Sequence, residues 1–588
     1  MELRQTKFTT DKRFSLLRFL LLATVATLIL AQGTAGAQNS KAGHQKFSAD
    51  LANFPLNADG TVNVIIQFKQ TPKAHFSEMA AGGGKLKFAF DHINGAAYRI
   101  PVRLLAWLQN HPDVVYVSPD RPNKVASDDD IPAVEGDIAR QQYGLDGTGV
   151  GIAIIDSGVF NHDDLQKAGG LGSRIVYSES FIPGDPSTND AYGHGTHVAG
   201  IVAGNGHDSQ NGYPVQYIGV APNANIINLR VLDANGAGND SQVIAAIQRA
   251  IQLKSTYNIR VINLSLGRPV FESYALDPVC QAVEAAWKSG IVVVVAAGND
   301  GRDNSQGTQG YATINAPGND PNVITVGATK TNGTPGRLDD TVASYSSKGP
   351  TLLDHVVKPD LVAPGNRIVS LASPGSTLVT SLTNLNISPI TTCILGVCTT
   401  GIGGKYTRLS GTSMATPIVT GAAALMLQKD STLTPDTIKA RMMKTAWKGY
   451  PVNSWGYDAW GQGYFSQYDA FTIGAGYLDI YSSLKSTDVI NGGAPSPIVN
   501  FNAATGVATL ENSQSITWGN SITWGSSIIW GNSIVWGGNA VLSDSIIWGD
   551  SIIWGQSGVT GNSIIWGQSI VWGADSVNAL NDAEDGEN

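Results

Sequence analysis

Residues 149–158 read GVGIAIIDSG, an apolar β-rich run that ends on an acid and a serine-glycine turn. Three more runs of this kind follow, at 224–232, 260–266 and 291–299. Stretches with helical periodicity separate them, at 239–254 and 278–289. Near-continuous apolar strands that alternate with helices are typical of a parallel sheet covered on both faces. We therefore predict an α/β fold with a doubly wound, mostly parallel sheet, whose functional residues follow the carboxyl ends of the strands.

Three polar residues lie in glycine-rich motifs of this region. Asp156 ends the first run, His194 lies in GHGTHVAG before a predicted helix at 195–204, and Ser413 lies in GTSMATP at the start of an apolar helix to about 427. A serine hydroxyl is a weak nucleophile until an imidazole takes its proton, and a carboxylate must hold that imidazole in the correct tautomer. Taken singly, these residues fit a turn, a structural histidine and a helix cap. Taken together, they predict a catalytic triad.

Asn299 ends the run IVVVVAAGN and adds a fourth element. Its side-chain amide can donate a hydrogen bond to the negative oxygen of a tetrahedral intermediate. A metal pair is the alternative role for His194 and His197, but zinc proteases place histidines at i and i+4 beside a glutamate, and neither condition holds. We interpret His197 as a packed helix residue, and the sequence assigns no set of metal ligands.

With these motifs the chain resembles the subtilisin (subtilase) family of serine proteases, in the family's Asp–His–Ser order. The resemblance also rests on GVAP (219–222), RVLDANGAG (230–238), NLSLG (263–267), ASYSSKGP (343–350), VAPG (362–365) and GAGYLDI (474–480). It implies a serine endopeptidase that acts on polypeptides. It also implies that an S1 pocket lies between two walls, which are Ser265, Leu266 and Gly267 on one side and Ala296, Ala297 and Gly298 on the other. The first wall would bind substrate as an added β-strand.

The resemblance implies no cofactor for the chemistry, and it is compatible with structural calcium. Asp164 resembles a calcium ligand of the family, but the loop at 205–217 is longer and different in sequence. A second departure is an excess of chain at about 371–404, which contains Cys393 and Cys398. These two cysteines are close enough to pair in an oxidising compartment, which would leave Cys280 over. All three can equally be unpaired small apolar residues.

The first 37 residues have the pattern of a secretory signal peptide. A basic segment precedes the apolar run 19–31, and a small-x-small cleavage pattern follows at 35–37. The alternative is an uncleaved anchor, but the run is shorter than the roughly 20 residues of a membrane span. We expect a secreted or cell-surface protein that has no membrane span in its mature form.

Residues 38–125 resemble the family's inhibitory propeptide, with a core at about 60–120. The sequence predicts strands at 62–69 and 114–117, a helix at 102–109, and a polar linker at 120–130. The resemblance implies that this segment inhibits its own enzyme and is cut off by it between about 120 and 135. The peptidase domain is predicted to span 126–485.

A linker at 486–514 is predicted to precede a hexapeptide repeat at 515–574 and an acidic tail at 575–588. The repeat unit is S-I-x-W-G-x, and its tryptophans are spaced by 6 or 12, which places them on one face of a strand and suggests a β-solenoid. Their common face favours packing between coils, with sugar binding by a surface or adhesion module as the rival interpretation. An esterase or transferase that uses the same triad is the rival within chemistry.

The charge distribution argues against a nucleic-acid partner. The chain has 38 basic and 47 acidic residues, and residues 486–588 contain nine acids and no lysine or arginine. A neutral body with an acidic tail lacks the basic surface that nucleic acid requires.

Overall fold

The computed structural model describes residues 46–511 and Ile564–Ile565, except for 49–50, 52–53, 55, 58, 125–132, 134, 171, 211–212, 214, 306, 335, 390, 395–396, 401–402, 452, 459–460 and 503–506. The predicted signal peptide and acidic tail lie outside the described residues, and so does all of the predicted repeat except Ile564–Ile565. Among the helices that can be described, none is both long and apolar enough to cross a membrane.

An N-terminal domain, residues 46–124, is built on an antiparallel sheet with strand order β2–β3–β1–β4. Its strands are β1 (Thr61–Phe68), β2 (Lys85–Phe90), β3 (Gly95–Pro101) and β4 (Val114–Pro119), and its helices are α1 (Phe76–Ala81) and α2 (Arg103–Asn110). Alternate residues of β1, among them Val62, Val64 and Ile66, pack in a small apolar core with Leu104 and Leu108 of α2. The predicted strands and helix of this region coincide with β1, β4 and α2.

The polar segment predicted as a linker at 120–130 begins as ordered structure. Asp120 and Arg121 are buried. The next three residues form strand β5 (Pro122–Lys124), which pairs antiparallel with β9 (Ala237–Asn239) of the large domain. The linker prediction is therefore wrong for 120–124, because the polar groups of this segment find their partners in another domain rather than in water.

A large domain, residues 136–499, contains an eight-stranded sheet of order β13–β12–β11–β10–β6–β8–β7, with β14 also paired to β12. The strands are β6 (Gly151–Asp156), β7 (Ile175–Ser180), β8 (Asn225–Arg230), β10 (Ile259–Leu264), β11 (Val292–Ala296), β12 (Ile324–Lys330), β13 (Thr341–Val342) and β14 (Leu361–Pro364). All pair in parallel except β13. Every residue of β6 and β11 is buried, so both faces of the sheet are covered.

The helices of the large domain are α3 (Gly136–Tyr143), α4 (His194–Ala203), α5 (Asp240–Tyr257), α6 (Pro278–Lys288), α7 (Thr377–Ser381), α8 (Thr412–Lys429), α9 (Pro435–Thr445) and α10 (Ile480–Lys485). Short 3-10 turns lie at Pro72–His75, Asp91–Ile93, Asp163–Leu165, Ala168–Gly170 and Thr383–Leu385. α4 packs on α8, α5 packs on α6, and both pairs contact the sheet. The start of α6 shows why a helix begins there: Pro278 opens the first turn, and Asp277 accepts from the backbone N–H of Val279 at 2.9 Å.

Small sheets surround this core. They pair β15 (Ile368–Leu371) with β18 (Tyr406–Leu409), β16 (Thr391–Ile394) with β17 (Val397–Thr400), β19 (Asn453–Tyr457) with β20 (Gly463–Gln467), and β21 (Ile498–Asn502) with β22 (Val507–Glu511) and β23 (Ile564–Ile565). The excess segment thus contains a hairpin, β16–β17, whose backbone register places Cys393 opposite Cys398. Their covalent pairing stays a prediction.

The first part of the predicted linker at 486–514 belongs to the large domain. Ile490, Ala494 and Val499 are buried there. The backbone N–H of Val499 donates to the carbonyl of His355 at 2.9 Å, and the carbonyl of residue 497 accepts from Val357 at 2.8 Å. The linker prediction is wrong for this stretch. Although it contains glycines and prolines, it is docked on the large domain and is not a free chain.

Candidate active site

Asp156 and His194 are hydrogen-bonded at the carboxyl end of β6. The structure places Nδ1 of His194 2.8 Å from Oδ1 of Asp156, and both side chains are buried. The backbone N–H of Ser157 donates to the same carboxylate oxygen at 2.7 Å. Because the Asp156 carboxylate accepts a hydrogen bond, Nδ1 of His194 carries the ring proton. The lone pair of the imidazole therefore lies on Nε2. That nitrogen is buried and has no hydrogen-bond partner among the described residues, which is the arrangement of a base awaiting a proton.

Asp190 holds the first turn of α4 and was missed by the sequence analysis. Its carboxylate accepts from the N–H groups of Gly193 and Thr196 at 2.6 and 2.8 Å, from the Thr196 hydroxyl at 2.7 Å, and from the Ser157 hydroxyl at 2.8 Å. Burial raises the pKa of Asp190, against the hydrogen bonds that lower it. The residue ties the turn after Asp156 to the helix that carries His194.

A sequence signal for Asp190 exists, because an acid a few residues ahead of a helix commonly accepts from the N–H groups of its first turn. A second constraint at this turn is the close approach of two backbones. A Cβ placed at Gly195 would lie 2.1 Å from the carbonyl oxygen of Gly158, so only glycine fits there.

Ser413 lies in the first turn of α8 and forms a reciprocal contact with Ser265. Its Oγ donates to the carbonyl of Ser265 at 3.0 Å, while Oγ of Ser265 donates to the carbonyl of Ser413 at 2.8 Å. Asn263 in turn donates to Oγ of Ser265 at 2.9 Å. The structure therefore joins Asp156 to His194 and Ser413 to Ser265, and it does not hydrogen-bond Ser413 to His194. Hydrogen bonds of this kind commonly tighten only when substrate is bound.

The Asn299 amide faces the start of α8 in one orientation. Its Oδ1 accepts from the backbone N–H and the hydroxyl of Thr412, at 2.9 and 3.0 Å. That orientation leaves Nδ2 buried and without a partner in the described part of the chain. A buried N–H donor that lacks an acceptor costs free energy, and an oxyanion formed beside Ser413 would supply the acceptor.

The two predicted walls of the S1 pocket leave neighbouring strands side by side. Leu264 of β10 stands in register with Val295 of β11, so residues 265–267 and 296–298 follow the same edge of the sheet. Gly298 has a φ of +108°, and a Cβ there would lie 2.5 Å from Nδ2 of Asn315. Asn315 therefore packs closely against the wall at 296–298, and no side chain fits at Gly298.

His197 is fully buried on α4, and its Nε2 donates to the carbonyl of Ile368 at 3.1 Å. Burial lowers the pKa of His197 to about 3, so the ring is neutral at physiological pH. The ring is packed within the protein, which agrees with its interpretation as a structural residue.

The residues around Asp164 do not fit the calcium ion that the resemblance allows. Oδ1 of Asp164 accepts from the backbone N–H of Asp208 at 2.8 Å, and Oδ2 accepts from the Tyr406 hydroxyl at 2.6 Å. The ammonium of Lys405 lies 2.7 Å from Asp163 and 2.9 Å from Asp208. A divalent ion needs several oxygen ligands that face it, but here each oxygen of Asp164 accepts a hydrogen bond and a lysine cation pairs with both neighbouring carboxylates.

His162 completes this cluster and is also fully engaged. Its Nδ1 accepts from the N–H of Asp164 and its Nε2 donates to the carbonyl of Lys405, each at 3.1 Å. A metal ion at either nitrogen would have to displace one of these bonds. The positive charge in the cluster therefore comes from Lys405.

A second group of potential ligands lies in the N-terminal domain. His75 is hydrogen-bonded to Glu78, and Nε2 of His111 lies 3.5 Å from the same carboxylate. The N–H of Asp113 donates to Nδ1 of His111 at 3.3 Å, so the ring proton is on Nε2 and faces Glu78. Glu78 thus contacts both histidines, while Nε2 of His75 is buried and has no partner among the described residues.

Comparison with known proteins gives consistent matches to one family. Residues 147–476 match the model of the subtilase family, Peptidase_S8. Serine protease AprX of Bacillus subtilis (strain 168) is 35% identical over 410 residues, which cover 67% of this chain and 85% of AprX. Subtilisin E of the same organism is 34% identical over 416 residues, which cover 68% of this chain and 90% of Subtilisin E.

A solved structure is similar in fold. Fervidolysin from Fervidobacterium pennivorans, a keratinolytic enzyme related to subtilisin, aligns with a TM-score of 0.53 and 21% identity. The alignment covers 76% of this chain and 64% of fervidolysin. It supports a subtilisin-like arrangement of a mostly parallel sheet and helices.

Proposed function

The chain belongs to the subtilase family and is a serine endopeptidase; from this premise we propose that Asp156, His194 and Ser413 form its catalytic triad, and that it is made as a secreted, self-processing zymogen. The observation that carries the proposal is that Nε2 of His194 and Nδ2 of Asn299 are both buried and have no hydrogen-bond partner within the part of the chain that the structure describes. Acyl transfer requires a base with a free lone pair and a donor to the oxyanion. Nε2 of His194 would be the first, and Nδ2 of Asn299 would be the second.

In the proposed mechanism, the Ser413 hydroxyl turns from the carbonyl of Ser265 to Nε2 of His194. Oγ attacks the carbonyl carbon of the peptide bond while His194 takes the hydroxyl proton. Asp156 accepts from Nδ1 and stabilises the imidazolium, and Nδ2 of Asn299 donates to the oxyanion. His194 then gives its proton to the leaving amine. A water molecule releases the acyl group from Ser413 by the same steps.

Substrate is proposed to bind as an extended chain between the walls 265–267 and 296–298. The residues that follow β10 and β11 offer main-chain groups at the carboxyl end of the sheet, beside Ser413. An extended peptide can pair with such groups as an added strand.

The N-terminal domain is proposed to act as an inhibitory propeptide within residues 38–125, cut from the peptidase domain between about 120 and 135. Its strand β5 lies on β9, which follows β8, and β8 ends with Arg230 in register with Asp156. Strand β5 thus occupies the edge of β9, close in sequence to the strand that pairs with β6 at Asp156. The pattern of residues 1–37 supports export of the precursor.

The test is a Ser413→Ala variant of the full chain beside a matched Ser431→Ala control, since Ser431 is exposed in the turn after α8. Casein hydrolysis and conversion of the precursor to a shorter form should both disappear in Ser413→Ala and persist in the control. Retention of either activity at the wild-type rate in Ser413→Ala would exclude Ser413 as the nucleophile.

A further inference from the structure

Arg121, the residue before β5, places its side chain in the large domain. Nη1 and Nη2 lie 2.6 and 2.9 Å from the two carboxylate oxygens of Glu272, in a bidentate pair. The guanidinium also lies over the ring of Phe271, 5.0 Å from its centroid. Only about 1% of the arginine side chain and 3% of the glutamate side chain are exposed. Two parallel bonds to a carboxylate and stacking on a ring suit a planar guanidinium and not an ammonium.

The surroundings of this pair carry an excess of negative charge. Asp240 lies 3.9 Å from Nη1 of Arg121 and is paired with Arg268 at 2.9 Å, and Arg268 also contacts Asp277 at 2.8 Å. The large domain thus contributes the carboxylates of Glu272, Asp240 and Asp277 and the single cation Arg268, a formal charge of −2 at this cluster. Arg121 offsets part of that charge in the precursor.

The donors to Glu272 come from the N-terminal domain. Among the described residues, its carboxylate accepts from Arg121 and, at 2.7 Å, from the hydroxyl of Tyr116. Loss of the N-terminal domain would remove both of them. A carboxylate that has lost these donors is free to pair with another cation, and a planar guanidinium can form the same bidentate bonds.

The main chain fixes where this site lies along a bound peptide. The N–H of Asp240 donates to the carbonyl of Arg121 at 2.7 Å, and β5 continues antiparallel to β9, with Lys124 opposite Ala237. Next to Ala237, a Cβ placed at Gly236 would lie 2.7 Å from the ring of Tyr192, two residues before His194. The paired chain therefore runs towards the catalytic histidine, and another peptide added to β9 would repeat this register.

We propose that Asp240, Phe271 and Glu272 form an arginine subsite, which holds Arg121 in the precursor and an arginine of the polypeptide substrate in the mature enzyme. The preferred arginine lies three residues before the residue that pairs with Ala237. This inference rests on the proposed function, because it assumes that substrate and the N-terminal domain use the same edge strand. It adds a specificity that the S1 walls do not provide.

The experiment uses mature enzyme obtained from the full chain and synthetic peptides that span residues 116–135, with Arg121 retained or replaced by Lys or Gln. The Arg peptide should be cleaved with kcat/KM at least ~10-fold above the Gln peptide, with Lys between them, because a guanidinium forms charge-assisted bonds to Glu272 that a neutral amide cannot form. In Glu272→Gln enzyme the Arg preference should vanish, whereas Glu284→Gln, an acid of α6 outside the cluster, should retain it.

Equal cleavage of the three peptides by an enzyme that hydrolyses casein would overturn the arginine subsite and leave the proposed function intact. An enzyme that cleaves neither casein nor any peptide would contradict both. If Glu272→Gln does not fold, Phe271→Ala replaces it, because Phe271 is 38% exposed and its loss should lower the Arg preference a few-fold.

Discussion

Oγ of Ser413 donates to the carbonyl oxygen of Ser265, 3.0 Å away, while Nε2 of His194 has no hydrogen-bond partner among the described residues. The proposed nucleophile is thus held on the strand end that is proposed to bind substrate. A bound peptide that takes up the main-chain groups of residues 265–267 would compete for that carbonyl. Substrate binding and the turn of the hydroxyl towards His194 are then coupled.

Asn299→Ala should lower kcat by about 10²–10³-fold and leave KM nearly unchanged, because Nδ2 of Asn299 is proposed to donate to the oxyanion that develops in the transition state and not to the bound substrate. Steady-state kinetics with a chromogenic peptide measures both constants. Thr412→Ser is the matched control, since it retains the N–H and hydroxyl that orient the Asn299 amide. A kcat within about three-fold of wild type in Asn299→Ala would contradict the assignment.

Asp190→Ala should lower both the melting temperature and kcat. Removal of the carboxylate leaves buried donors of Gly193, Thr196 and Ser157 without an acceptor, at about 1–3 kcal/mol for each. Loss of these bonds frees the turn that carries His194. Far below the melting temperature, kcat should still be at least ~10-fold lower with KM little changed, because a misplaced catalytic group slows the chemical step.

The control for this variant is Asp430→Asn, an exposed acid that accepts from Thr432 at the end of α8. Its kinetics should match wild type. If Asp190→Ala loses thermal stability alone and keeps its kcat, Asp190 is a folding residue and does not position His194.

Lys405→Met should make the protein respond to calcium. Without the ammonium, the carboxylates of Asp163 and Asp208 repel each other, so the melting temperature should fall by several degrees and be partly restored by excess calcium. Thermal unfolding in calcium and in chelator, in a Ser413→Ala background that prevents autolysis, measures the shift. Lys444→Met, which removes a lysine 2.7 Å from Asp488 at a distant site, should be destabilised without a matching gain. A calcium shift no larger in Lys405→Met than in the parent would refute this account.

His197 should make stability depend on pH between about 6.5 and 3. The folded-state pKa lies near 3, below the ordinary value of 6.5. Below pH 6.5 the unfolded chain takes up a proton that the folded chain refuses, so stability present above pH 6.5 is lost as the pH falls towards 3. The loss is about 1.4 kcal/mol for each pH unit.

Urea unfolding of the Ser413→Ala protein at pH 7.5 and pH 5 measures this effect, with Ser413→Ala/His197→Asn for comparison. The substituted protein should be less stable at pH 7.5 and should lose less on acidification. An equal loss in the two proteins would show that other groups carry the pH dependence.

The main sheet could be predicted because each of its central strands is a continuous run of apolar residues in the sequence. The apolar runs that begin at 149, 224, 260 and 291 become β6, β8, β10 and β11 with shifts of only one to three residues at most ends. The strand β5 could not be predicted in this way. Pro122, Asn123 and Lys124 form a strand only because the edge of β9 is available, and that edge belongs to a segment more than 100 residues later.

The residues of the candidate site differ in the same way: some can be predicted from local sequence, and others depend on distant contacts. Asp156, His194, Ser413 and Asn299 lie in motifs whose chemistry can be interpreted locally, at strand ends and helix starts. Asp190, by contrast, acts through groups that the fold gathers around it. The engagement of Asp164 likewise depends on Tyr406, which is 242 positions away. Local motifs therefore indicate the candidate reacting groups, whereas the contacts of the neighbouring Asp164 site depend on residues that are distant in the sequence.

Docking of residues 490–499 on the large domain sets a boundary for C-terminal trimming. Proteases cut chain that can be drawn into an extended form, but here Ser496 is bonded to Asp360 and to Lys439, both buried. Removal of this stretch would leave the Lys439 ammonium without one of its acceptors and expose the apolar core against which Val499 is buried. The shortest durable enzyme should therefore end beyond residue 499, and its mass, read from intact protein, would show how much of the tryptophan-rich extension is retained.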